Sequence, residues 1–311
     1  MDTRLAEILN YVPKHLQTIL TNTFTVAGDS IQEIRVRIGM PLIVGTVSGS
    51  FAVLADGSVS PAIGGAYMVS DSDLRQIFQA ICENSVYAYL DDIRQGFITI
   101  KGGHRVGFAG RAVVADGKIE NFREISSLNI RVAREITGAA NEIIGSVLSP
   151  AGSVINTLIV SPPMGGKTTI LRDLARQISD RGIKTAIVDD RGELAALYRG
   201  IPQNDIGVQS DVIENAPKAE AVIMMLRAMS PQLMITDEIA SEEDAAAIAQ
   251  CFGTGVSVIG TTHGESIEEV EQRETLKPLI GGAGFKRIIL LQKEGVGLNM
   301  HIRGSVREVT V

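Results

Sequence analysis

Residues 161 to 169 read SPPMGGKTT. A glycine pair followed by a lysine and two hydroxyl residues has the parts that hold phosphate. Backbone N–H groups of a Gly-rich turn and of the following helix N-terminus cradle phosphate oxygens. In that scheme Lys167 reaches the β- and γ-phosphates and Thr168 sets its hydroxyl on Mg²⁺. Ser161, Pro162, Pro163, Met164, Gly165, Gly166 and Thr169 complete the loop. The usual pattern, G-x-x-x-x-G-K-[ST], begins with glycine where this chain has Ser161. Met164 also stands where related loops often carry glycine. Ser161 closes an apolar strand, where a small polar residue fits without a positive φ.

Three more clusters carry chemistry. LMITDEIA ends an apolar strand in Asp237-Glu238. Asp237 suits Mg²⁺, and Glu238 suits a water that attacks phosphate. AIVDDRGEL places Asp189, Asp190 and Glu193 after another apolar strand. This second acidic box could equally orient water, with Arg191 as its ion partner. VIGTTHGES ends a strand with Thr261, Thr262 and His263, a polar group at a strand C-terminus, where open α/β sheets hold ligands. His263 is the candidate for sensing a γ-phosphate.

These clusters need elements that bring them together. From residue 154 on, NTLIVS, KTAIVDD, QLMITDE, VSVIGTT and RIILLQ are apolar strand-like runs separated by helical patterns. Strands alternating with helices imply βαβ units and a mostly parallel sheet with helices on both faces. ILRDLARQI after the phosphate loop puts Ile170, Leu171, Leu174 and Ile178 on one helical stripe. Ser241 and Asp244 mark a helix start after the Asp-Glu pair, and the tail from 294 on reads as a closing hairpin.

The N-terminal half mixes α and β signals. LAEIL reads as a short helix. Ile34, Val36 and Ile38 alternate with Glu33, Arg35 and Arg37 as a strand that the GMP triplet interrupts. The capping pair Ser70 and Asp73, followed by Leu74, Ile77, Phe78 and Ile81, predicts a helix over 70–94. An arginine-rich β region with turns at Gly102-Gly103 and Asp116-Gly117 follows, and then a helix around 138–148. The Pro/Gly/Ser cluster at 149–153 divides the chain into 1–150 and 151–311.

Composition excludes several classes. Aromatic residues make up 4% of the chain, with no Trp, and the formal net charge is -7. A base-stacking platform needs aromatic faces, and a duplex-binding surface needs clustered cations. No nucleic-acid partner is expected. Cys82 and Cys251 lie in apolar helical patterns with no near partner, as buried reduced thiols do. No stretch approaches the ~18 apolar residues of a membrane span, and no signal peptide opens the sequence. The expected location is cytoplasmic, with membrane contact only through a partner.

SPPMGGKTTILRDLAR, IVDDRGEL, LRAMSPQLMITDEIASEEDA and THG, in this order, resemble the secretion-type ATPases of type II and type IV systems. GFITIKGGHRVGFAGRAVV and ISSLNIRVAR narrow the resemblance to the sporulation stage III AA family of endospore formers. The resemblance implies a RecA-like P-loop NTPase core preceded by a smaller α/β N-terminal domain. It implies Mg²⁺-dependent ATP hydrolysis by a homo-oligomeric ring, a hexamer in that class, with nucleotide held between the domains. It further implies a peripheral place on a mother-cell-to-forespore channel, docked to a membrane protein of that complex. Secretion ATPases usually carry Gly-Glu where this chain has Asp237-Glu238, and a Glu where Asp190 or Glu193 falls. Glu238, Asp190 and Glu193 therefore all stand as candidates for orienting water. By the same likeness an N-terminal arginine touches phosphate, Arg131 or Arg111. A nucleotide-binding scaffold or switch with little hydrolysis is the alternative.

Overall fold

The computed structural model describes residues 3–163, 165–294, 297–304 and 309–310. Met164, a loop residue of the sequence reading, lies outside them. The chain divides into two compact units, Met1–Arg134 with Tyr198–Gln203, and Glu135–Leu197 with Asn204–Val311.

The first unit opens with α1 (Thr3–Ile8) and α2 (Lys14–Ala27), followed by β1 (Ile31–Arg37), β2 (Ile43–Thr46), β3 (Gly49–Val53) and β4 (Val59–Ser60). Next come α3 (Asp71–Ile81), α4 (Leu90–Gln95), β5 (Phe97–Thr99), β6 (Arg105–Ala115) and β7 (Lys118–Arg131). The seven strands form one antiparallel sheet in the order β4-β3-β2-β1-β7-β6-β5. Ile34 and Val36 of β1 are buried as their alternation requires. The Ser70–Asp73 capping box forms at α3, and Leu74, Ile77 and Ile81 bury its apolar stripe.

The helix expected over 70–94 is broken. Glu83 and Asn84 sit at φ 49° and 63°. That left-handed step ends α3, and a short turn leads into α4. The Glu83 carboxylate is held by the Tyr198 hydroxyl at 2.8 Å and by the Arg199 guanidinium. Both partners come from the excursion 198–203. At the β6–β7 turn, Asp116 and Gly117 take positive φ of 49° and 74°, matching the twist of a hairpin.

The second unit contains α5 (Ile144–Val147), β8 (Thr157–Ser161), α6 (Lys167–Ser179), β9 (Thr185–Asp189) and, after the small hairpin β10 (Leu197–Tyr198) and β11 (Ile201–Pro202) through which the chain visits the first unit, β12 (Ser210–Glu214). It continues with α7 (Lys218–Ala228), β13 (Leu233–Thr236), α8 (Glu242–Gly253), β14 (Ser257–His263), α9 (Ile267–Gln272), β15 (Arg287–Glu294), β16 (Gly297–Gly304) and β17 (Val309–Thr310). The sheet order is β12-β9-β13-β14-β8-β15-β16-β17. It is parallel from β12 to β15 and closes antiparallel through β16 and β17.

Successive strand residues serve two apolar layers, as a sheet covered on both faces demands. Leu158, Val160, Ala186, Val188 and Met234 face the layer of α7 and α8. Ile159, Ile187, Leu233, Ile235 and Ile259 face that of α6. Ala140, Ile143 and Val147 join the α6 layer. Their burial puts residues 135–148 in this unit, so the division falls ahead of the Pro/Gly/Ser cluster. Only Ile144–Val147 of the expected helix at 138–148 is α-helical; residues 138–143 are turn, and Leu148 forms an isolated bridge with Val154. The edge strand β12 carries only Val212 and Ile213 as apolar residues and was not expected from the sequence.

Candidate functional site

Parallel register brings the chemistry to one edge. Thr236 pairs with Val188 and with Gly260, and His263 pairs with Ser161. The C-terminal ends of β9, β13, β14 and β8 thus lie side by side, and the motifs that follow them share one edge.

Ser161 is the fully buried last residue of β8. Its φ is not positive, so a side chain costs nothing there. Its hydroxyl donates to the Pro162 carbonyl at 2.7 Å. The loop then passes so close that a Cβ on Gly165 would lie 2.4 Å from Ser161 Oγ. Gly166 takes φ 85° as the N-cap of α6. That left-handed conformation lets the chain turn directly into a helix whose first N–H groups face the edge.

Lys167 is the first residue of α6. Its ammonium donates to Ser161 O at 3.2 Å and to His263 Nδ1 at 2.8 Å. An ammonium only donates, so His263 Nδ1 accepts and the ring proton sits on Nε2. That nitrogen faces Glu238 Oε1 at 3.9 Å. Burial pushes Lys167 down to about 8, with Arg191 adding to the effect and Glu238 opposing it. Thr168 donates its hydroxyl to Glu193 Oε2 at 3.3 Å.

The acidic box is folded by its first member. Buried Asp189 accepts from the N–H groups of Glu193, Leu194 and Ala195 at 2.8 to 2.9 Å. Arg172 of α6 holds the carbonyls of Glu193 and Leu194. Together they aim Glu193 at Thr168. Asp190 is half exposed and does not line the cavity described below.

Asp237 and Glu238 follow β13. The Glu238 N–H donates to Thr261 Oγ1 at 2.9 Å, and its carboxylate pairs with Arg191 at 2.8 Å. Asp237 is pushed up to about 6 by burial, with Lys218 opposing the shift and Asp189 and Asp190 adding to it. Buried Asp237 Oδ1 pairs with the Lys218 ammonium at 2.9 Å.

A cavity of about 470 Å³ joins these groups. Gly165, Gly166, Lys167, Thr168 and Thr169 form one wall. Arg191, Glu193, Asp237, Glu238, Thr261 and His263 form the others. It holds two cations and three carboxylates around a helix N-terminus, a donor set for a phosphate with a hard cation. The Thr168 hydroxyl and the Asp237 carboxylate are the hard oxygens fitted to Mg²⁺, which usually takes one or two protein ligands beside substrate phosphates. A larger depression of about 720 Å³ along α7 is lined by Ile213, Ile223 and Met224 and presents no such set.

Pro162 and Pro163 are in the loop but do not line the cavity. Arg111 and Arg131 belong to the first unit. Arg111 is on the exposed half of β6, and Arg131 ends β7 opposite Glu33 and Arg105. Two contributors escaped the motif reading, Arg172 and Lys218. Arg172 lies within the helix ILRDLARQI, where its role depends on a loop that meets it only in the fold, and Lys218 lies outside the quoted motifs.

Two solved structures share the fold. The Legionella pneumophila ATPase DotB matches with a TM-score of 0.60 at 13% identity, over 92% of this chain and 79% of that one. The pilus retraction motor PilT with bound ADP matches at 0.56 and 15% identity, over 90% and 81%. The class is thus an α/β protein with the fold that these two structures share. The sequence narrows this further. Residues 2–307 match the family described as "Sporulation stage III, protein AA". Stage III sporulation protein AA of Bacillus subtilis (strain 168) is 37% identical over 293 residues, 92% of this chain and 91% of that protein. The chain belongs to the sporulation stage III protein AA family. Among the described residues, no helix is long and apolar enough to cross a membrane.

Proposed function

We propose that this protein is a Mg²⁺-dependent ATPase with a RecA-like core, the motor of a secretion-like channel complex in sporulation. One observation carries the reading. Lys167, Thr168, Glu193, Asp237, Glu238 and His263 come from four strand ends and converge on one cavity at the N-terminus of α6.

Lys167 exchanges Ser161 O and His263 for the β- and γ-phosphates. Thr168 and Asp237 hold Mg²⁺, which when bound neutralises phosphate charge. Glu238 orients the water, with His263 beside it on the γ-phosphate side. Water adds to the γ-phosphorus, the bond to the β-phosphate oxygen breaks, and the water's proton passes to an acceptor oxygen. Arg131 and Arg111 are the candidates for an arginine reaching phosphate. The protein works as a homo-oligomeric ring, a hexamer as in its class. It stands in the mother-cell cytoplasm, peripheral at the membrane through a membrane protein of the channel complex.

The test is phosphate release and ATP binding by the purified chain and by Lys167→Ala. Loss of one phosphate contact in a water-excluded site costs about 10²-fold or more in turnover. Equal release by both proteins would sink the reading.

A second reading is a nucleotide-dependent assembly switch with little hydrolysis. The Arg191–Glu238 ion pair favours it, because it occupies the carboxylate that must face water. Nucleotide-driven oligomerisation without phosphate release would select this reading.

A further inference from the structure

Lys218 is the first residue of α7, after its N-cap Pro217. Two physical rules oppose a lysine there. Its side chain is only 6% exposed, and a buried ammonium loses its hydration. It also sits at the positive end of the helix dipole, where a cation is disfavoured. A residue that breaks local rules is held by something else, and such sites are often functional.

What holds it is the turn after β13. Lys218 Nζ donates to the carbonyls of Asp237 at 2.8 Å and of Glu238 at 2.5 Å. It lies 2.9 Å from Asp237 Oδ1 and 4.0 Å from Asp190 Oδ2. The strand ladder ends at Thr236, so the next two peptides have no parallel partner. They are pinned instead from two sides. Thr261 takes the Glu238 N–H on its hydroxyl and the Ile239 N–H on its carbonyl. Lys218 takes both carbonyls from the other side. An ammonium has three donors and no acceptor, which matches two carbonyls and a carboxylate.

We propose that Lys218 is the positioning residue of this site. It sets the direction in which the Asp237 and Glu238 carboxylates leave the strand, and so where the Mg²⁺ ligand stands. The inference rests on the ATPase reading above. A role confined to stability would move the melting temperature and leave the Mg²⁺ requirement of nucleotide binding where it was.

The test measures binding of a fluorescent ATP analogue in excess Mg²⁺ and in EDTA, for wild type, Lys218→Met and Lys218→Arg, with thermal melts beside each. Lys218→Met is expected to keep the EDTA affinity within about threefold and to lose the Mg²⁺-dependent gain by about tenfold or more, as losses of metal-orienting partners do. Lys218→Arg carries a wider, planar head. It is expected to melt like wild type yet to need several-fold more Mg²⁺ for half its gain. This second variant decides the matter where Lys218→Met does not fold. An unchanged Mg²⁺ requirement in either folded variant overturns the inference. So does a loss equal in Mg²⁺ and in EDTA. Wild-type protein that binds no nucleotide in either condition overturns the ATPase reading and the inference with it.

Discussion

At the scale of single residues the proposed hydrolysis turns on which carboxylate faces water. Glu193 points at Thr168, Asp190 stands outside the cavity wall, and Glu238 lies between Arg191 and His263. Glu238→Gln is therefore expected to lower phosphate release by about 10²–10³-fold while ATP still binds, in the range of a lost general base. Glu193→Gln and Asp190→Asn should each cost less than about tenfold by the same measure. The reverse ranking, read from single-turnover hydrolysis, would reassign the role. The Ser161 substitution finds its explanation at this scale too. Its backbone is the end of an extended strand, so glycine's freedom is not used. Ser161→Gly should bind nucleotide within about threefold of wild type, a change under 1 kcal/mol.

Between elements, the loop and the caps carry the sharpest expectations. Ser161 and Gly165 are coupled, because a Cβ at 165 would lie 2.4 Å from Ser161 Oγ and 3.0 Å from the Pro162 carbonyl. Gly165→Ala should weaken nucleotide binding by about tenfold or more, a loop shift worth about 1.4 kcal/mol. Adding Ser161→Gly should return part of that loss in a titration. An additive double variant would show that the two positions do not touch. Helix starts are the second case. Ser241 accepts from the Asp244 N–H at 3.1 Å in a full capping box, so Ser241→Ala should cost about 1 kcal/mol in denaturant unfolding. Asp73 is more deeply committed. It accepts from the Ser70 N–H and hydroxyl and the Tyr67 hydroxyl, and His15 lies 2.7 Å away. Asp73→Ala should cost about 2 kcal/mol or more, since buried partners are left unpaired. Equal costs for Ser241→Ala and Asp73→Ala would contradict this account.

For the whole molecule, burial of neutral acids sets the alkaline limit of stability. Cys82 and Cys251 are pushed up to about 11, and Tyr67 and Tyr89 to about 12, in each case first by burial. The folded chain keeps protons there that the unfolded chain has already released. Stability is thus fully present below pH about 8.5 and is lost as pH rises toward 11 and 12. Melting temperature should fall steadily over that window. Neither cysteine should react with a disulfide-exchange reagent at pH 8 until the fold is opened, since the thiolate is the reactive form. Prompt labelling of the native protein would show that the burial is wrong. The proposed ring belongs to this scale as well. Molar mass by light scattering should rise to about six protomers with a non-hydrolysable ATP analogue, and an unchanged monomer would count against the ring.

Much of this was legible in the residue order. Apolar runs between helical stripes predicted the five central strands, because β8, β9, β13, β14 and β15 are covered on both faces and so read as continuous hydrophobic runs. The capping pairs at Ser70 and Ser241 marked helix starts by short-range hydrogen bonds that act within one turn. The SPPMGGKTT loop, the acidic box and the Asp-Glu and His263 strand ends stand out as short motifs for the same local reason. Weakly patterned elements were not: β12 has two apolar residues, and the break at Glu83 and Asn84 depends on Tyr198 and Arg199, over a hundred positions away. Only the sheet order put the Asp237-Glu238 strand between the acidic-box strand and the His263 strand. Only tertiary packing turned Asp189 into the hub of its loop and buried Lys218 against the carbonyls of Asp237 and Glu238. Local periodicity is a property of neighbours in the chain. The positions of the carboxylates around the cavity are set by strands and helix ends that meet only when the chain has folded.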